Sequence, residues 1–199
     1  TSEGTTGMSD TTIDEGRLFI GGEWRESVTG RRIDVIDPST GRVIGTVADG
    51  GSEDVDAAVA AARDAFENGP WATMSGRERA RILHKVADLI RENADEIARL
   101  ESLDVGKPIS LCLAVDVMTA AEEYEFYSAM AQSIDGATRD IPINAFAYTR
   151  REPLGVVAAI TPFNFPLILS SSKIAPALAA GNVVVHKPAD DTPLSALHM

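Results

Sequence analysis

The stretch that decides the fold runs from Gly155 to Pro188 and reads GVVAAITPFNFPLILSSSKIAPALAAGNVVVHKP. It opens with a continuous apolar run, GVVAAIT, which is typical of a strand buried on both faces of a parallel sheet. The turn PFNFP follows, then a helical segment over Leu167–Ala180 that Gly181 ends, and then a second apolar strand, NVVVHKP. Strand, helix and strand within about thirty residues have the size of one right-handed βαβ crossover. The chain is therefore predicted to be an α/β protein.

Asn164 stands in the turn of this unit, between two phenylalanines and two prolines. In an open α/β sheet, ligands bind beyond the carboxyl ends of the strands, where this turn lies. One interpretation is structural, because asparagine is a good cap for a helix whose first residue is Pro166. The other is functional, because the amide NH2 offers two neutral donors that stabilise an oxyanion without titrating. The residues alone leave both interpretations open.

Lys187 and Asp190 follow the second strand, three residues apart, in the segment HKPADDTP. They are either a surface ion pair of little energetic value or polar contacts to a nucleotide ribose, with lysine donating and aspartate accepting. The G-x-G-x-x-G fingerprint that usually marks dinucleotide binding is absent from the sequence. The pattern alone therefore does not establish a nucleotide site.

Composition excludes several classes of function. A formal net charge of -12 and a pI near 4.6 disfavour binding of nucleic-acid phosphates through a basic face. The single cysteine, Cys112, rules out an intramolecular disulfide, and the three histidines lie far apart without a zinc-ligand spacing, so no metal is predicted. No run approaches the roughly 18 apolar residues of a membrane span, and no secretory signal is recognised. The expected location is the cytoplasm, with no membrane partner.

Three further parts are predicted besides the βαβ segment of residues 154–199. Residues 1–16 are rich in Thr, Ser, Gly and Asp and are predicted to be a disordered tail. Residues 17–134 contain two short strand pairs followed by helical segments, the last of them expected over 110–133. Residues 135–153 alternate polar and apolar side chains around PINAF and are predicted to form a projecting hairpin with an open edge.

Six segments, in this order, resemble the N-terminal part of the NAD(P)-dependent aldehyde dehydrogenase superfamily. They are FIGGEW, DPSTG, DVDAAVAAARDAF, LDVGKP, REPLGVVAAITPFNFPL and KIAPALAAGNVVVHKPADDTPLSAL. The resemblance covers nearly everything from Leu18 to the end of the chain. It implies an incomplete Rossmann-like parallel sheet, as in the cofactor domain of these enzymes, formed by residues 17–134 and 154–199. It also implies that 135–153 is the oligomerisation hairpin of a homodimer or homotetramer.

The resemblance assigns roles to individual residues. Asn164 in PFNFP resembles the oxyanion-hole asparagine of the family, and Lys187 matches the lysine that contacts the adenosine ribose. The family often has tryptophan at the position of Phe163, and its Rossmann-like domain lacks the usual glycine fingerprint. The residues that would line the cofactor channel are Ile160, Thr161, Pro162 and Phe163.

Two acidic residues also match positions of the family. Asp190 occupies the place where NAD-preferring members have glutamate, and a carboxylate there repels the 2′-phosphate of NADP. NAD is therefore the predicted cofactor, with NADP as the alternative because aspartate is one methylene shorter than glutamate. Asp104 in LDVGKP, together with the main-chain carbonyl near Ile36, resembles a structural monovalent-cation site of some members.

The chemistry of the family needs residues that are not found before Met199. A cysteine thiolate attacks the aldehyde, hydride passes to the nicotinamide, and a glutamate activates water to hydrolyse the resulting thioester. The family's E-L-G-G-K and G-Q-x-C segments are missing here, and Cys112 is predicted to be a small core residue in a helix. The expectation is an N-terminal fragment, inactive alone, of an enzyme that oxidises a small-molecule aldehyde to a carboxylic acid.

Two alternative functions remain open. One is a non-catalytic remnant that binds the cofactor or serves as a scaffold, and a reading frame that continues into a G-Q-x-C segment would count against it. The other is a coenzyme A-acylating aldehyde dehydrogenase, which transfer of the acyl group to coenzyme A rather than to water would identify. The identity of the aldehyde is not readable from these residues.

Overall fold

The computed structural model describes residues 16–199, which form an α/β protein. Its strands are β1 (Leu18–Ile20), β2 (Glu23–Arg25), β3 (Arg32–Asp37), β4 (Arg42–Ala48), β5 (Ala137–Arg139), β6 (Ala147–Thr149), β7 (Val156–Ile160) and β8 (Val183–Lys187). Its helices are α1 (Ser52–Glu67), α2 (Pro70–Thr73), α3 (Gly76–Glu92), α4 (Ala94–Val105), α5 (Ile109–Leu111), α6 (Met118–Met130), α7 (Pro166–Ala179) and α8 (Leu194–His198). None of the helices just named combines the length and the apolar character that crossing a bilayer requires.

The strands pair two by two in sequence order, which gives four small sheets. β1 with β2, β3 with β4, and β5 with β6 are antiparallel. Within residues 16–199, β7 and β8 are the only strands that pair in parallel. The parallel sheet expected of a Rossmann-like domain is therefore limited to two strands in this part of the chain.

The N-terminal strand pair turns at two glycines, as their adjacent positions in the sequence predict. Gly21 and Gly22 have φ angles of 64° and 86°, a region that residues with a Cβ rarely adopt. The predicted tail of residues 1–16 lies outside the described residues except for Gly16. That glycine bridges to β4, where its carbonyl accepts a hydrogen bond from the Ala48 amide at 2.7 Å. The tail prediction is therefore wrong at its last residue, because main-chain bonds hold Gly16 against β4.

Helices α3, α4, α6 and α7 enclose the main hydrophobic core. Helix α3 begins at a capping box, in which Ser75 Oγ accepts from the Glu78 amide and Glu78 Oε2 accepts from the Ser75 amide. Helix α4 ends at Gly106, whose φ of 78° suits only a glycine without strain. Fully buried members of this core are Leu83, Ala87, Cys112, Val117, Ala120, Ala121, Leu167 and Ala175.

The helix predicted over residues 110–133 contains a π-helical segment, Cys112–Val117, between α5 and α6. The wider turn of a π-helix adds one residue per hydrogen-bonded ring, so it changes which side chains face inward. Here Asp116 is fully buried together with Cys112 and Val117. The partner of the Asp116 carboxylate is Lys107, which precedes the helix. A helical period alone does not predict this buried ion pair.

β7, α7 and β8 form the βαβ unit that the sequence predicts. The parallel register runs from Val156 opposite Val183 to Ile160 opposite Lys187. The expectation that the first strand is buried on both faces is wrong here. Ala159 is buried, but Ile160, on the opposite face of the strand, is 68% exposed. One face of β7 packs against the rest of residues 16–199, and the other is largely exposed.

β5 and β6 form the predicted hairpin, with Ala137 opposite Thr149 and Arg139 opposite Ala147. Each strand has three residues, and almost every side chain of the hairpin is exposed. The exposed apolar side chains include Ile143, Phe146 and Tyr148. The hairpin is thus paired within itself but is not covered by the rest of residues 16–199.

Candidate functional site

The candidate site is the loop TPFNF, residues 161–165, between β7 and α7. The Thr161 amide donates to the Lys187 carbonyl at 3.2 Å, so the loop begins beside the carboxyl ends of both parallel strands. Thr161 is buried, whereas the next four residues are exposed. The loop therefore lies where open α/β sheets bind ligands.

Asn164 does not cap helix α7. The helix begins at Pro166, as predicted, its cap residue is Phe165, and no side chain caps it. The Asn164 side chain is exposed and makes no hydrogen bond to any residue between 16 and 199. The capping interpretation is therefore wrong, and the two amide N–H donors remain available to a ligand.

Two contacts hold the loop, one on each side of Asn164. Thr192 Oγ1 donates a hydrogen bond to the Phe163 carbonyl at 3.0 Å. The Lys107 ammonium lies 4.0 Å from the centroid of the Phe165 ring, within the range of a cation–π interaction. Asn164 is exposed, but the residues on either side of it are tied to other elements.

Lys187 and Asp190 form an exposed ion pair at the end of β8. Lys187 Nζ lies 2.6 Å from Asp190 Oδ1 and also donates to the Pro188 carbonyl at 2.9 Å. Because both side chains are more than half exposed, the pair contributes only about 0–1 kcal/mol to stability. One ammonium N–H and the second carboxylate oxygen have no partner within residues 16–199. The pair can therefore both donate to and accept from the hydroxyls of a ligand.

His186 lies inside the unit, next to Lys187. Its Nε2 is 3.0 Å from Ser170 Oγ and 3.3 Å from Thr161 Oγ1, so it shares a small polar cluster with two buried hydroxyls. Burial lowers the pKa of His186 to about 4. The imidazole is therefore neutral at neutral pH, and it links the end of β7 to α7 and β8.

A buried charge cluster lies behind the loop. The Lys107 ammonium donates to Glu101 Oε1 at 3.2 Å and to Asp116 Oδ1, and both carboxylate side chains are fully buried. The second oxygen of Glu101 accepts a hydrogen bond from Ser195 Oγ. Burial raises the pKa of the Glu101 carboxyl, while Ser195 and Lys107 oppose that rise.

Asp104 lies close to this cluster on α4. Its Oδ2 accepts from the Leu194 amide at 2.7 Å, and its Oδ1 is buried with no hydrogen-bond partner among the described residues. Burial raises the pKa of Asp104 to about 7. An unpartnered buried carboxylate oxygen is compatible with the monovalent-cation site that the sequence resembles.

Cys112 is a core residue, as predicted. It is fully buried against the helices of the main core. Burial, with a smaller contribution from the nearby Asp116 carboxylate, raises the pKa of the thiol to about 11. The thiolate is the nucleophilic form, so Cys112 is poorly suited to attack a substrate at neutral pH.

Sequence reasoning missed three residues that shape the site: Lys107, Thr192 and His186. Lys107 belongs to the LDVGKP segment, but nothing in that motif indicates that its ammonium is buried under an aromatic ring. Thr192 and His186 act on residues far from them in sequence. No local pattern predicts such contacts, because they depend on how α4, α7 and α8 pack.

The chain is similar in sequence to known enzymes over most of its length. Residues 24–199 match the profile described as "Aldehyde dehydrogenase family". Aldehyde dehydrogenase 1 of Tanacetum cinerariifolium is 51% identical over 183 residues, which is 92% of this chain and 37% of that protein. Aldehyde dehydrogenase family 2 member C4 of Arabidopsis thaliana is 46% identical over 182 residues, which is 91% of this chain and 36% of that protein.

Solved structures agree with these matches. An aldehyde dehydrogenase from Bacillus cereus, solved as an NAD+ complex, superposes with a TM-score of 0.91 at 45% identity, over 93% of this chain and 38% of that one. A betaine aldehyde dehydrogenase variant from Staphylococcus aureus superposes with a TM-score of 0.89 at 39% identity, over 92% and 37% of the two chains. The chain thus spans a little more than a third of the length of these relatives. It belongs to the aldehyde dehydrogenase family.

Proposed function

We propose that this chain supplies the oxyanion donor and part of the cofactor platform of an enzyme that oxidises an aldehyde to a carboxylic acid with NAD. The observation that carries the proposal is that the Asn164 side chain is exposed and has no hydrogen-bond partner within residues 16–199. Its amide is exposed at the carboxyl end of a parallel strand, makes no hydrogen bond within residues 16–199, and lies between two anchored residues. A side chain in that state is suited to bind a ligand oxygen.

The chemistry assigned to Asn164 follows from its amide. When a nucleophile attacks an aldehyde, negative charge develops on the carbonyl oxygen, and neutral N–H donors stabilise that charge without a change of protonation state. Loss of one such donor typically lowers kcat by about 10²–10³. Asn164 is therefore assigned to bind the aldehyde oxygen and to polarise the carbonyl before attack.

The residues around the loop fit a dinucleotide. Lys187 and Asp190 offer a free donor and a free acceptor to ribose hydroxyls, and the exposed side chains of Ile160 and Phe163 offer apolar surface beside them. Bound NAD would accept a hydride from the substrate. The further residues assigned to the cofactor channel are Thr161 and Pro162.

The preference for NAD over NADP is assigned to Asp190. Its carboxylate repels a 2′-phosphate, but Lys187 lies 2.6 Å away and partly offsets that repulsion. NAD is therefore the proposed cofactor, and the discrimination against NADP is expected to be modest. The larger sheet of a Rossmann-like domain, of which β7 and β8 would be two strands, is part of the same proposal.

The nucleophile is assigned to a cysteine of the full-length protein other than Cys112, because Cys112 is fully buried and its thiol has a raised pKa. The same observation favours one alternative, a non-catalytic module that binds the cofactor through Lys187, Asp190 and the loop. The two functions differ in turnover and agree in NAD binding. A measurement of both properties therefore separates them.

The test compares the full-length protein with its Asn164→Ala variant, with a panel of aldehydes, NAD and NADP, by following reduced cofactor. We expect kcat to fall by about 10²–10³ in the variant while the Kd of NAD is unchanged, because the amide acts on the developing charge. Asn144→Ala, which truncates an exposed asparagine between β5 and β6, is the matched control. An unchanged kcat in Asn164→Ala would contradict the oxyanion assignment.

The 199-residue chain is measured in parallel with its Cys112→Ser variant. We expect NAD binding without turnover in both. Turnover by the chain that disappears in Cys112→Ser would overturn the assignment of the nucleophile. NAD binding by a full-length protein that oxidises no aldehyde would support the non-catalytic alternative.

A further inference from the structure

Asn164 is exposed, yet the residues on both sides of it contact groups that are themselves bound to buried carboxylates or lie next to residues that are. On one side, Thr192 Oγ1 donates to the Phe163 carbonyl, and on the other, the Lys107 ammonium lies under the Phe165 ring. Both anchors come from elsewhere in the chain, Lys107 from the segment after α4 and Thr192 from the turn before α8. They hold the residues immediately before and after the proposed oxyanion donor.

The Lys107 ammonium of the first anchor has three contacts. Two are with carboxylate oxygens, Glu101 Oε1 at 3.2 Å and Asp116 Oδ1, and the third side of the ammonium faces the Phe165 ring at 4.0 Å. The lysine side chain is only 14% exposed and the two carboxylates are fully buried. An ion held on three sides in a water-poor site has little freedom to move, so the ring above it has a fixed support.

The segment that carries Thr192 binds one of the same carboxylates, Glu101, and also Asp104. Two residues later in the chain, the Leu194 amide donates to Asp104 Oδ2 at 2.7 Å, and Ser195 Oγ donates to Glu101 Oε2. Glu101 therefore bridges the two anchors, because one of its oxygens binds Lys107 and the other binds the segment that carries Thr192. One side chain on α4 thus contacts both Lys107 and the segment that carries Thr192.

We propose that Lys107 and Thr192 are positioning residues for Asn164, which they hold from both sides through the buried carboxylates of Glu101, Asp104 and Asp116. The inference rests on the proposed function for the chemical role of Asn164. The immobilisation of the loop is independent of that role. An oxyanion donor is effective only when it is held within about 0.5 Å of its working position, which an exposed loop without anchors does not provide.

The experiment measures the mobility of Asn164 directly. The chain has five asparagines, Asn68, Asn93, Asn144, Asn164 and Asn182, so selective 15N-asparagine labelling of the 199-residue chain gives a short set of backbone amide signals. Relaxation measurements then give an order parameter for each. The variants are Thr192→Val, Phe165→Leu and Lys107→Met.

The first two variants remove one anchor each and leave the buried ion pairs intact. Lys107→Met removes an anchor together with the charge that compensates Glu101 and Asp116. The matched control is Lys85→Met, which removes an exposed lysine whose Nζ lies 3.5 Å from Glu92.

We expect the order parameter of Asn164 to fall from about 0.85 to below about 0.6 in Thr192→Val and Phe165→Leu, with Asn68, Asn93 and Asn182 unchanged. Lys85→Met leaves all five values as they are. If Lys107→Met does not fold because its carboxylates are left without a cation, the other two variants decide the matter. An Asn164 amide as rigid in both as in the unmodified chain would overturn the proposal.

A kinetic measurement on the full-length protein separates positioning from general structural support. In Thr192→Val we expect kcat to fall by about 10-fold to 100-fold while the Kd of NAD is unchanged, because the donor is displaced and the cofactor contacts are not. A lower kcat without greater Asn164 mobility would overturn the positioning role and leave the proposed function standing. Greater mobility in a protein that oxidises no aldehyde would support the positioning and contradict the proposed function.

Discussion

The βαβ unit of β7, α7 and β8 and the hairpin of β5 and β6 are both two-stranded sheets, but they are held in different ways. Side-chain hydrogen bonds connect the elements of the parallel unit. Asn182 Oδ1 accepts from the Leu154 and Gly155 amides. His186 forms hydrogen bonds with Ser170 and Thr161. The hairpin is held by its own main chain and by Thr149 Oγ1, which contacts Ala137. One sheet is part of the core, and the other is not.

The difference follows from how each sheet is connected. Antiparallel strands are joined by a short turn, so local sequence is enough to pair them. Parallel strands are joined by a crossover, so the helix must pack on the sheet before the strands can meet. In this chain Leu167 of α7 is fully buried in the main core, whereas Phe146 of the hairpin is 78% exposed. Changes in the βαβ unit should therefore alter folding, and changes in the hairpin should not.

The largest expected effect on folding is that of Leu167→Ala. Truncation of a fully buried leucine leaves a cavity, and we expect the free energy of unfolding to fall by about 2–5 kcal/mol. Urea unfolding of the 199-residue chain measures this loss. Phe146→Ala, in the hairpin, is the control and should change stability by less than about 0.5 kcal/mol. Equal losses in the two variants would show that the hairpin is as much a part of the folded core as α7.

The next largest effect is a pH dependence that comes from His186. Its folded-state pKa of about 4 lies below the ordinary value of 6.5, so the unfolded chain binds more protons between these two pH values. The contribution of His186 to stability is therefore fully present above pH 6.5 and is lost as the pH falls toward 4, by about 3 kcal/mol in total. Asp104, whose pKa burial raises to about 7, contributes a pH dependence of opposite sign over this range. The His186 contribution is therefore measured as the difference between the unmodified chain and a His186 variant in urea unfolding at a series of pH values.

The substitution His186→Gln should remove this contribution to the pH dependence of stability, because glutamine does not titrate. The matched control is His84→Gln, at an exposed position on α3, and it should leave the pH dependence unchanged. The same pH dependence in His186→Gln as in the unmodified chain would show that His186 does not contribute to it.

A smaller loss is expected for Asn182→Ala. The side chain is 6% exposed and makes three main-chain hydrogen bonds, to the Leu154 and Gly155 amides and to the Ala177 carbonyl at 3.1 Å. Removal leaves the buried Gly155 amide without an acceptor and should cost about 1–3 kcal/mol, measured by thermal or urea unfolding. Asn144→Ala provides an exposed asparagine for comparison and should be nearly neutral. A neutral Asn182→Ala would mean that the start of β7 does not depend on this side chain.

The smallest effect on folding is expected for the double substitution of Ile143 and Phe146 by serine. Both side chains are exposed, so the free energy of unfolding should change by no more than about 0.5 kcal/mol. If residues 135–153 join subunits, as the family resemblance implies, the same substitutions should reduce the size of the assembly. Analytical ultracentrifugation of the full-length protein before and after substitution measures this. An unchanged assembly would contradict an oligomerisation role for the hairpin.

Local sequence was sufficient to predict most elements of this fold. Apolar runs, helical periods and glycine positions indicate the strand pairs, the βαβ unit and the ends of α4 and α7, because each depends on residues close together in the chain. The same reasoning placed Asn164, Lys187 and Asp190 at the carboxyl ends of parallel strands, and Lys187 proves to be the last residue of β8. It left open whether Asn164 caps α7, and the structure excludes that role, because Phe165 precedes Pro166 and takes the cap position.

Packing between distant elements decided the rest. Glu101 on α4, Asp116 on the π-helical segment and Lys107 between them form a buried ion cluster under Phe165, and no periodicity marks any of the three as partners. The lowered pKa of His186 and the exposure of one face of β7 likewise depend on which elements cover them. Desolvation and ion pairing act through space, so the sequence names the groups that carry the chemistry, and the tertiary structure decides which of them are buried together.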